Sequence, residues 1–292
     1  MDCVVVSIVV TFCLIFGKAI MGKKNKSLYK AVFVSDIHLG TRSCKADFLL
    51  KMLKGLAFEE IYLVGDIIDG WKIKRGWYWH QDHTNFLRKI LKYSKNKRVV
   101  YIAGNHDEFL RNFLFHGDLN VGNVEIYDEM VYTSATGKRY LLTHGDNYDI
   151  ITRYHKQIAV LGDIGYEALL SINRHFNWLR RHLGFGYWSL SRFVKHKVKS
   201  AVSFITQFEH MVAKHCEDRG LDGVICGHIH SAANKSIDGI HYLNCGDWVE
   251  SCTLIAEDWQ GEFQVIEYNS AVALLPRLGD ESVADEFLED VV

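Results

Sequence analysis

Five apolar runs in this chain each end in side chains able to hold a metal ion, and that recurrence constrains the fold more than any other feature of its 292 residues. Residues 224–230 read Val-Ile-Cys-Gly-His-Ile-His, and residues 31–38 read Ala-Val-Phe-Val-Ser-Asp-Ile-His. Side chains two apart on an extended segment point to the same side. Each segment is therefore expected to present two ligand side chains on one face and bury an isoleucine on the other. The remaining three are Gly65-Asp66-Ile67-Ile68-Asp69, Gly104-Asn105-His106-Asp107 and Thr143-His144-Gly145-Asp146. In an open α/β sheet, ligands bind beyond the carboxyl ends of the strands. Five such ends would gather these groups around one point. The glycines before Asp66, Asn105 and His228 are read as permitting a sharp turn there.

Strand-like runs rich in Val, Ile, Tyr and Phe cover 30–36, 60–65, 98–103, 123–133, 139–144, 222–227, 237–244 and 252–268. Between the first of them, Leu49, Met52, Leu53 and Leu56 keep helical spacing in 45–56, and 81–95 is a second helical segment. The alternation implies βαβ units, followed by strands in succession like an antiparallel meander, and so an α/β (α+β) chain. With 48% hydrophobic and 24% charged residues, the composition is that of an ordinary soluble globular protein. A net charge of −1 points to no polyanion, and no nucleic-acid partner is expected. Seven cysteines without a C-x-x-C pair read as reduced thiols of a cytosolic protein. Nothing in the sequence speaks to oligomeric state.

Three regions depart from this texture. Residues 1–29 form an N-terminal extension whose apolar stretch, Cys3 to Phe16, is 14 residues long, short of the ~20 that span a bilayer. No basic segment precedes it and no cleavage site follows. It reads either as a weak membrane anchor or as a mis-called start, with Met21 the true initiator. Residues 30–268 form the main domain, interrupted at 147–221 by a helical insertion. From Ala168 to Phe208, 41 residues contain no Asp or Glu but carry Arg174, Arg180, Arg181, Arg192, Lys195, Lys197 and Lys199 among aromatics such as Trp178 and Trp188. That segment reads as a cap over the metals, its cations for a diphosphate and its apolar face for acyl chains; the alternative is a helical pair with a solvated basic face. Residues 269–292 form an acidic tail.

The donor set fits two divalent ions. Asp36, His38, Asp66 and His230 can hold one, and Asp66, Asn105, His144 and His228 the other, with Asp66 bridging. Mixed carboxylate, imidazole and amide donors suit Mn²⁺, Fe or Zn²⁺, and the absence of thiolate argues against a structural zinc knot. Two metals ~3.5–4 Å apart form the recurring clamp for in-line displacement at phosphorus. A lone histidine at a strand end is usually structural, and Gly-Asp pairs usually mark turns. Five such motifs in this order, each at a strand end, argue otherwise.

The ordered set D-x-H, G-D-x-x-D, G-N-H-D, H, G-H-x-H resembles the signature of calcineurin-like metallophosphoesterases over roughly residues 30–268. The resemblance implies a two-sheet β-sandwich flanked by helices, with two metals, Mn²⁺ foremost. Within the superfamily the chain is most similar to the UDP-2,3-diacylglucosamine hydrolases of lipid A synthesis, in its insertion and in Gly246-Asp247-Trp248. That likeness implies cleavage of the pyrophosphate of an amphiphilic nucleotide-sugar lipid at the cytoplasmic face of the inner membrane, an anionic surface. His106 stands where that branch carries arginine, as in the wider superfamily, which keeps another phosphodiester or phosphomonoester open as substrate. A metal-poor scaffold is the reading from a different class; scaffold members lose ligands, and all seven are present. By the resemblance, His106 protonates the leaving group, Asp107 fixes its tautomer, and Asp69 and Asp146 orient ligands. Asn105, His106, Arg192, Lys195 and Lys199 are the expected substrate contacts.

Overall fold

The computed structural model describes residues 28–114, 119–148, 177 and 199–269. Two sheets face one another. The first runs β12-β11-β1-β2-β3-β5-β4, where β1 is Leu28–Val34, β2 Ala57–Val64, β3 Arg98–Ile102, β4 Leu119–Val121, β5 Val124–Tyr127, β11 Thr253–Asp258 and β12 Phe263–Glu267. The second runs β6-β7-β8-β10-β9, from Glu129–Thr133, Arg139–Thr143, Gly223–Cys226, Ile240–Asn244 and Ala233–Ile237 respectively. In the first sheet β1, β2, β3 and β5 are parallel, and in the second β7, β8 and β10 are parallel. All the strands followed by the five motifs thus belong to the parallel cores of the two sheets.

Period-two alternation sorts the side chains into three apolar layers. Ala31 and Phe33, Tyr62 and Val64, and Val100 and Ile102 face the second sheet, where they meet Tyr132, Tyr140, Leu142, Ile225 and Leu243. Their neighbours Val32, Val34, Ile61, Leu63 and Val99 face outward. There they are covered by α1 (Ala46–Gly55), through Leu49, Met52 and Leu53, and by α3 (Gln81–Tyr93), through Phe86 and Ile90. A short helix, α2 (Gly70–Arg75), precedes α3, and α4 (Arg111–Leu114) follows β3. The outer face of the second sheet, with Leu141, Val224 and Cys226, is covered by Phe208, Val212, Ala213 and Cys216 of α5 (Lys199–Asp218). Strands buried on both faces read as continuous apolar runs, as the ends of β1, β2 and β3 that lead into the motifs do, in Ala31–Val34, Ile61–Val64 and Val99–Ile102.

Three runs that read as single strands are each two. Residues 123–133 leave the first sheet after Tyr127 and enter the second at Glu129. Within 237–244 the pair Asp238-Gly239 has φ of 51° and 86° and closes the β9–β10 hairpin. An Asp-Gly pair between apolar runs is a strong hairpin signal. Residues 252–268 fold back between Asp258 and Phe263. The C-terminal part of the presumed cap, α5, is scaffold of the sandwich. Residues 149–176 and 178–198 of that insertion, 1–27 of the N-terminal extension and 270–292 of the tail lie outside the described residues. No helix among the described residues is long and apolar enough to cross a membrane.

Candidate metal centre

Each donor lies just beyond a strand end, and five of the seven sit on backbone bent in a way that L-residues avoid. Asp36, His38, Asp66, His228 and His230 all have φ between 52° and 70°. Non-glycine residues held in this left-handed region cost of order 1–3 kcal/mol each and cluster at functional sites. Asp36 and His38 share a side because both are left-handed, with the buried Ile37 between them; the pairing expected from an extended strand arises another way. The loops are knitted together by backbone bonds. Asp36 N donates to Gly65 O (3.1 Å), His38 N to Asp66 O (2.9 Å) and Gly227 N to His144 O (3.1 Å). The motif glycines are required for closeness more than for turning. A β-carbon at Gly104 would overlap the Asp66 carboxylate, and one at Gly227 would overlap Asp36. Gly65 alone of the three has a positive φ, 76°, and a β-carbon there would strike His144.

The two aspartates each have one oxygen anchored and one directed inward. Asp36 Oδ2 accepts from His228 N at 3.0 Å, while Oδ1 stands 3.1 Å from His230 Nε2. Asp66 Oδ1 accepts from His106 N at 2.8 Å. Its Oδ2 lies 3.3 Å from His144 Nε2 and 3.9 Å from Nε2 of both His38 and His106. His144 Nδ1 donates to Val64 O at 3.0 Å, so Nε2 is the nitrogen turned toward Asp66. Around the site, Asp36 Oδ1, His38 Nε2, Asn105 Oδ1, His106 Nδ1 and His144 Nε2 are buried side-chain atoms without a hydrogen-bond partner. A buried polar atom left unpaired costs about 1–3 kcal/mol, a cost that a bound cation would relieve. Donor groups within reach of a common ion are Asp36, His38 and His230, and Asp36, Asp66 and His144.

The carboxylates make the metal-free centre strongly attractive to cations. Burial works against a charged His38, but the bond to Asp69 and the charges of Asp66 and Asp36 push it up to about 9. Burial likewise opposes a charged His144, yet Asp66 and Asp36 raise it to about 10. Asp36, despite burial, is held down to about 2 by His230 and His144. Protons and metal ions compete for the same imidazole nitrogens.

The sequence model of calcineurin-like phosphoesterases matches residues 29–232. The chain belongs to that family. A curated relative, the DNA polymerase II small subunit of Methanothermobacter thermautotrophicus, is 23% identical over 253 residues, covering 75% of this chain and 47% of that protein. The chain thus spans about half the length of that relative. Among solved structures, vacuolar protein sorting 29 from Cryptosporidium parvum is 10% identical with a TM-score of 0.38, covering 81% of this chain and 95% of that one. An archaeal phosphodiesterase is 15% identical with a TM-score of 0.34, covering 81% and 98%.

Of the seven expected ligand residues, Asp36, His38, Asp66, His144 and His230 fall in groups within reach of a common ion, while Asn105 and His228, at the ends of β3 and β8, fall in none of them. The His228 ring lies 5.2 Å from that of His144 and 6.0 Å from Phe208. Two expectations are corrected. Asp107 does not serve His106: its carboxylate accepts from Ile67 N (2.9 Å), Tyr101 Oη (2.6 Å) and Gly104 N, bracing the loop from beneath. Adjacent residues in a tight turn point opposite ways, and it is Asp69 Oδ1 that stands 3.0 Å from His106 Nδ1. Asp69 also has Oδ2 3.3 Å from His38 Nδ1 and caps α2 through Lys72 N at 2.8 Å. Asp146, rather than orienting a ligand imidazole, takes both Nη atoms of Arg111, at 2.7 and 2.9 Å. Arg111 reaches Ala103 O and Asp128 as well, tying the end of β3 to the end of β7. Arg111 carries no motif and was not legible in sequence. Arg192 and Lys195 lie outside the described residues, and of Lys199 only the backbone, at the start of α5, is described. Gly246-Asp247-Trp248 is a brace: Trp248 N donates to Asp36 O at 3.0 Å, and Asp247 caps the turn at Val249 and Glu250.

Proposed function

We propose that this centre hydrolyses a phosphorus–oxygen bond with two divalent metals, manganese foremost, iron or zinc being the alternatives its donors suit. The observation that carries the reading is the pair of donor groups, Asp36 with His38 and His230 and Asp36 with Asp66 and His144, each within reach of a common ion. Asp36, His38, Asp66 and His230, with Asn105, His144 and His228, are the residues that would hold the ions. When bound, such a pair activates water near neutral pH and offsets charge on phosphoryl oxygens. Asp66 faces three imidazoles through one oxygen and suits a shared ligand. His106, with Nδ1 3.0 Å from Asp69 Oδ1, has Nε2 3.9 Å from Asp66 Oδ2, where it can give a proton to the leaving oxygen.

The finer reading is the pyrophosphate bond of a UDP-linked acylated sugar, met at an anionic membrane surface. Its support is in the sequence: the acid-free basic and aromatic stretch of 168–208 and the Gly246-Asp247-Trp248 segment. His106 in place of arginine favours a second reading, in which the substrate is another phosphodiester or a phosphomonoester. Purified protein with Mn²⁺ should be assayed against UDP-diacylglucosamine, cyclic nucleotides and phosphomonoesters. Release of UMP selects the first reading, and turnover of the others alone selects the second. No hydrolysis of any of them, with fewer than two metals bound, would return the chain to the scaffold reading.

A further inference from the structure

The side chain packed against His106 is one that metal binding does not require. Trp71, second residue of α2, lays its indole over the imidazole with ring centroids 4.3 Å apart and planes tilted by 34°. Its N–H donates to Glu108 Oε1 at 3.3 Å, in the turn that follows His106. Gly70 N donates to His106 O at 3.0 Å, and a β-carbon at Gly70 would stand only 2.9 Å from that oxygen. Helix α2 therefore starts as near to the His106 loop as a backbone can.

Trp71 remains 39% exposed, so it forgoes much of the free energy that burying an indole provides. A tryptophan restrained at ring and N–H in a half-open position restrains its neighbour in turn. Two other side chains adjoin His106. Asp69 meets Nδ1, and the His38 ring lies near-perpendicular at 4.7 Å. A contact at one nitrogen leaves an imidazole free to swing about it, and a flat wall on the ring removes that freedom.

We infer that Trp71 is a positioning residue for His106, holding Nε2 toward the centre, where it lies 3.9 Å from Asp66 Oδ2. The inference rests on the reading of His106 as the leaving-group acid. An acid must stay within hydrogen-bond reach of the oxygen it protonates, and a displacement of about 1 Å can cost about 10²-fold in rate.

The test compares Trp71→Ala, Trp71→Phe, His106→Ala and the Trp71→Ala/His106→Ala double variant in the Mn²⁺-loaded full chain. Two substrates are used: a phosphodiester with an alkoxide leaving group, and bis(p-nitrophenyl) phosphate, whose leaving group departs without a proton. Trp71→Ala should lower kcat on the alkyl ester about 10- to 100-fold, with KM little changed and the nitrophenyl ester nearly unaffected. Trp71→Phe, which keeps a flat ring, should restore most of the rate. The double variant should be no slower than His106→Ala, because an acid already absent cannot be misplaced. In the metal-free protein, the carbon-bound ring protons of His106 should change NMR shift in Trp71→Ala as the indole ring current is lost. Should the alanine variant fail to fold, Trp71→Leu, apolar without a flat face, takes its place. Equal losses on both esters, or additive losses in the double variant, would make Trp71 a general prop and overturn the inference. A slowed His106→Ala beside an unaffected Trp71→Ala sinks the inference alone. An unchanged His106→Ala removes the acid role and the inference with it.

Discussion

Two clusters of buried charge in this sandwich are arranged in opposite ways. At the metal centre, Asp36 Oδ1, His38 Nε2, Asn105 Oδ1 and His144 Nε2 have no hydrogen-bond partner. On β11, the fully buried Glu257 is saturated: it accepts from Ala135 N at 2.7 Å and from Tyr132 Oη, and Lys30 Nζ stands 3.5 Å away. Lys30 in turn donates to Tyr132 Oη and Thr133 O, each at 2.7 Å. That network joins β1 and β11 of one sheet to β6 of the other, and it asks for nothing more. The difference separates a staple from a site. Buried polar groups that satisfy one another rigidify a core, whereas convergent unsatisfied ones are stable only with something bound.

The largest effect that would test this contrast is Asp66→Ala. Turnover should vanish and the content of both metals should fall, because Asp66 Oδ2 faces both His38 and His144, the imidazoles expected on different ions. His38→Ala should chiefly deplete one. Two metals per chain in Asp66→Ala, by elemental analysis, would refute the shared ligand.

Glu257→Ala is the mirror case. Removing one partner of a buried charge network costs about 3–5 kcal/mol, so the urea midpoint should drop sharply while metal content stays at the wild-type value. An unmoved midpoint would end the staple interpretation.

A smaller effect is expected from Asp69→Asn, which keeps the shape but weakens the hold on His38 and His106. Groups that orient ligands typically contribute about 10- to 100-fold in affinity or activity. Titration with Mn²⁺ alongside kcat measures both, and wild-type values in each would leave Asp69 as a helix cap only.

The mildest test is pH. In the metal-free protein, His38 and His144 are raised from 6.5 to about 9 and about 10. A raised folded-state value stabilises fully below the unfolded value, about 6.5, and that stabilisation is lost as pH climbs through 9 to 10. The melting temperature of the metal-free protein should therefore fall between pH 7 and 10. Mn²⁺-loaded protein, whose imidazoles are already deprotonated, should show a flatter profile over that range. Parallel profiles would mean that these imidazoles do not meet the metal.

Much of this was readable in the sequence, for a physical reason. The motif strands are buried on both faces, so their apolar runs and the abrupt polar residues at their ends stand out. Donor identities and the flanking α1 and α3 follow from that pattern, whereas the antiparallel meander expected of the later strands does not hold, since β7, β8 and β10 run parallel. Periodicity does not report which strands change sheet: 123–133 is one apolar run, yet Asp128 carries the chain from β5 to β6. The Asp238-Gly239 hairpin, by contrast, had a local signal in its residue pair.

Beyond the strand ends, sequence spacing no longer sets the direction of a side chain. Asp36 and His38 point together because each is left-handed, and the inward oxygen of Asp36 is chosen by a backbone N–H 192 residues away, at His228. The same holds for Asp69 rather than Asp107 beside His106, for Arg111 on Asp146, and for Trp71 on the imidazole. Local composition names the metal-binding residues, since only their chemistry is needed to recognise them. Their aim is a property of five loops hydrogen-bonded to one another, and it exists only once the two sheets have brought those loops together.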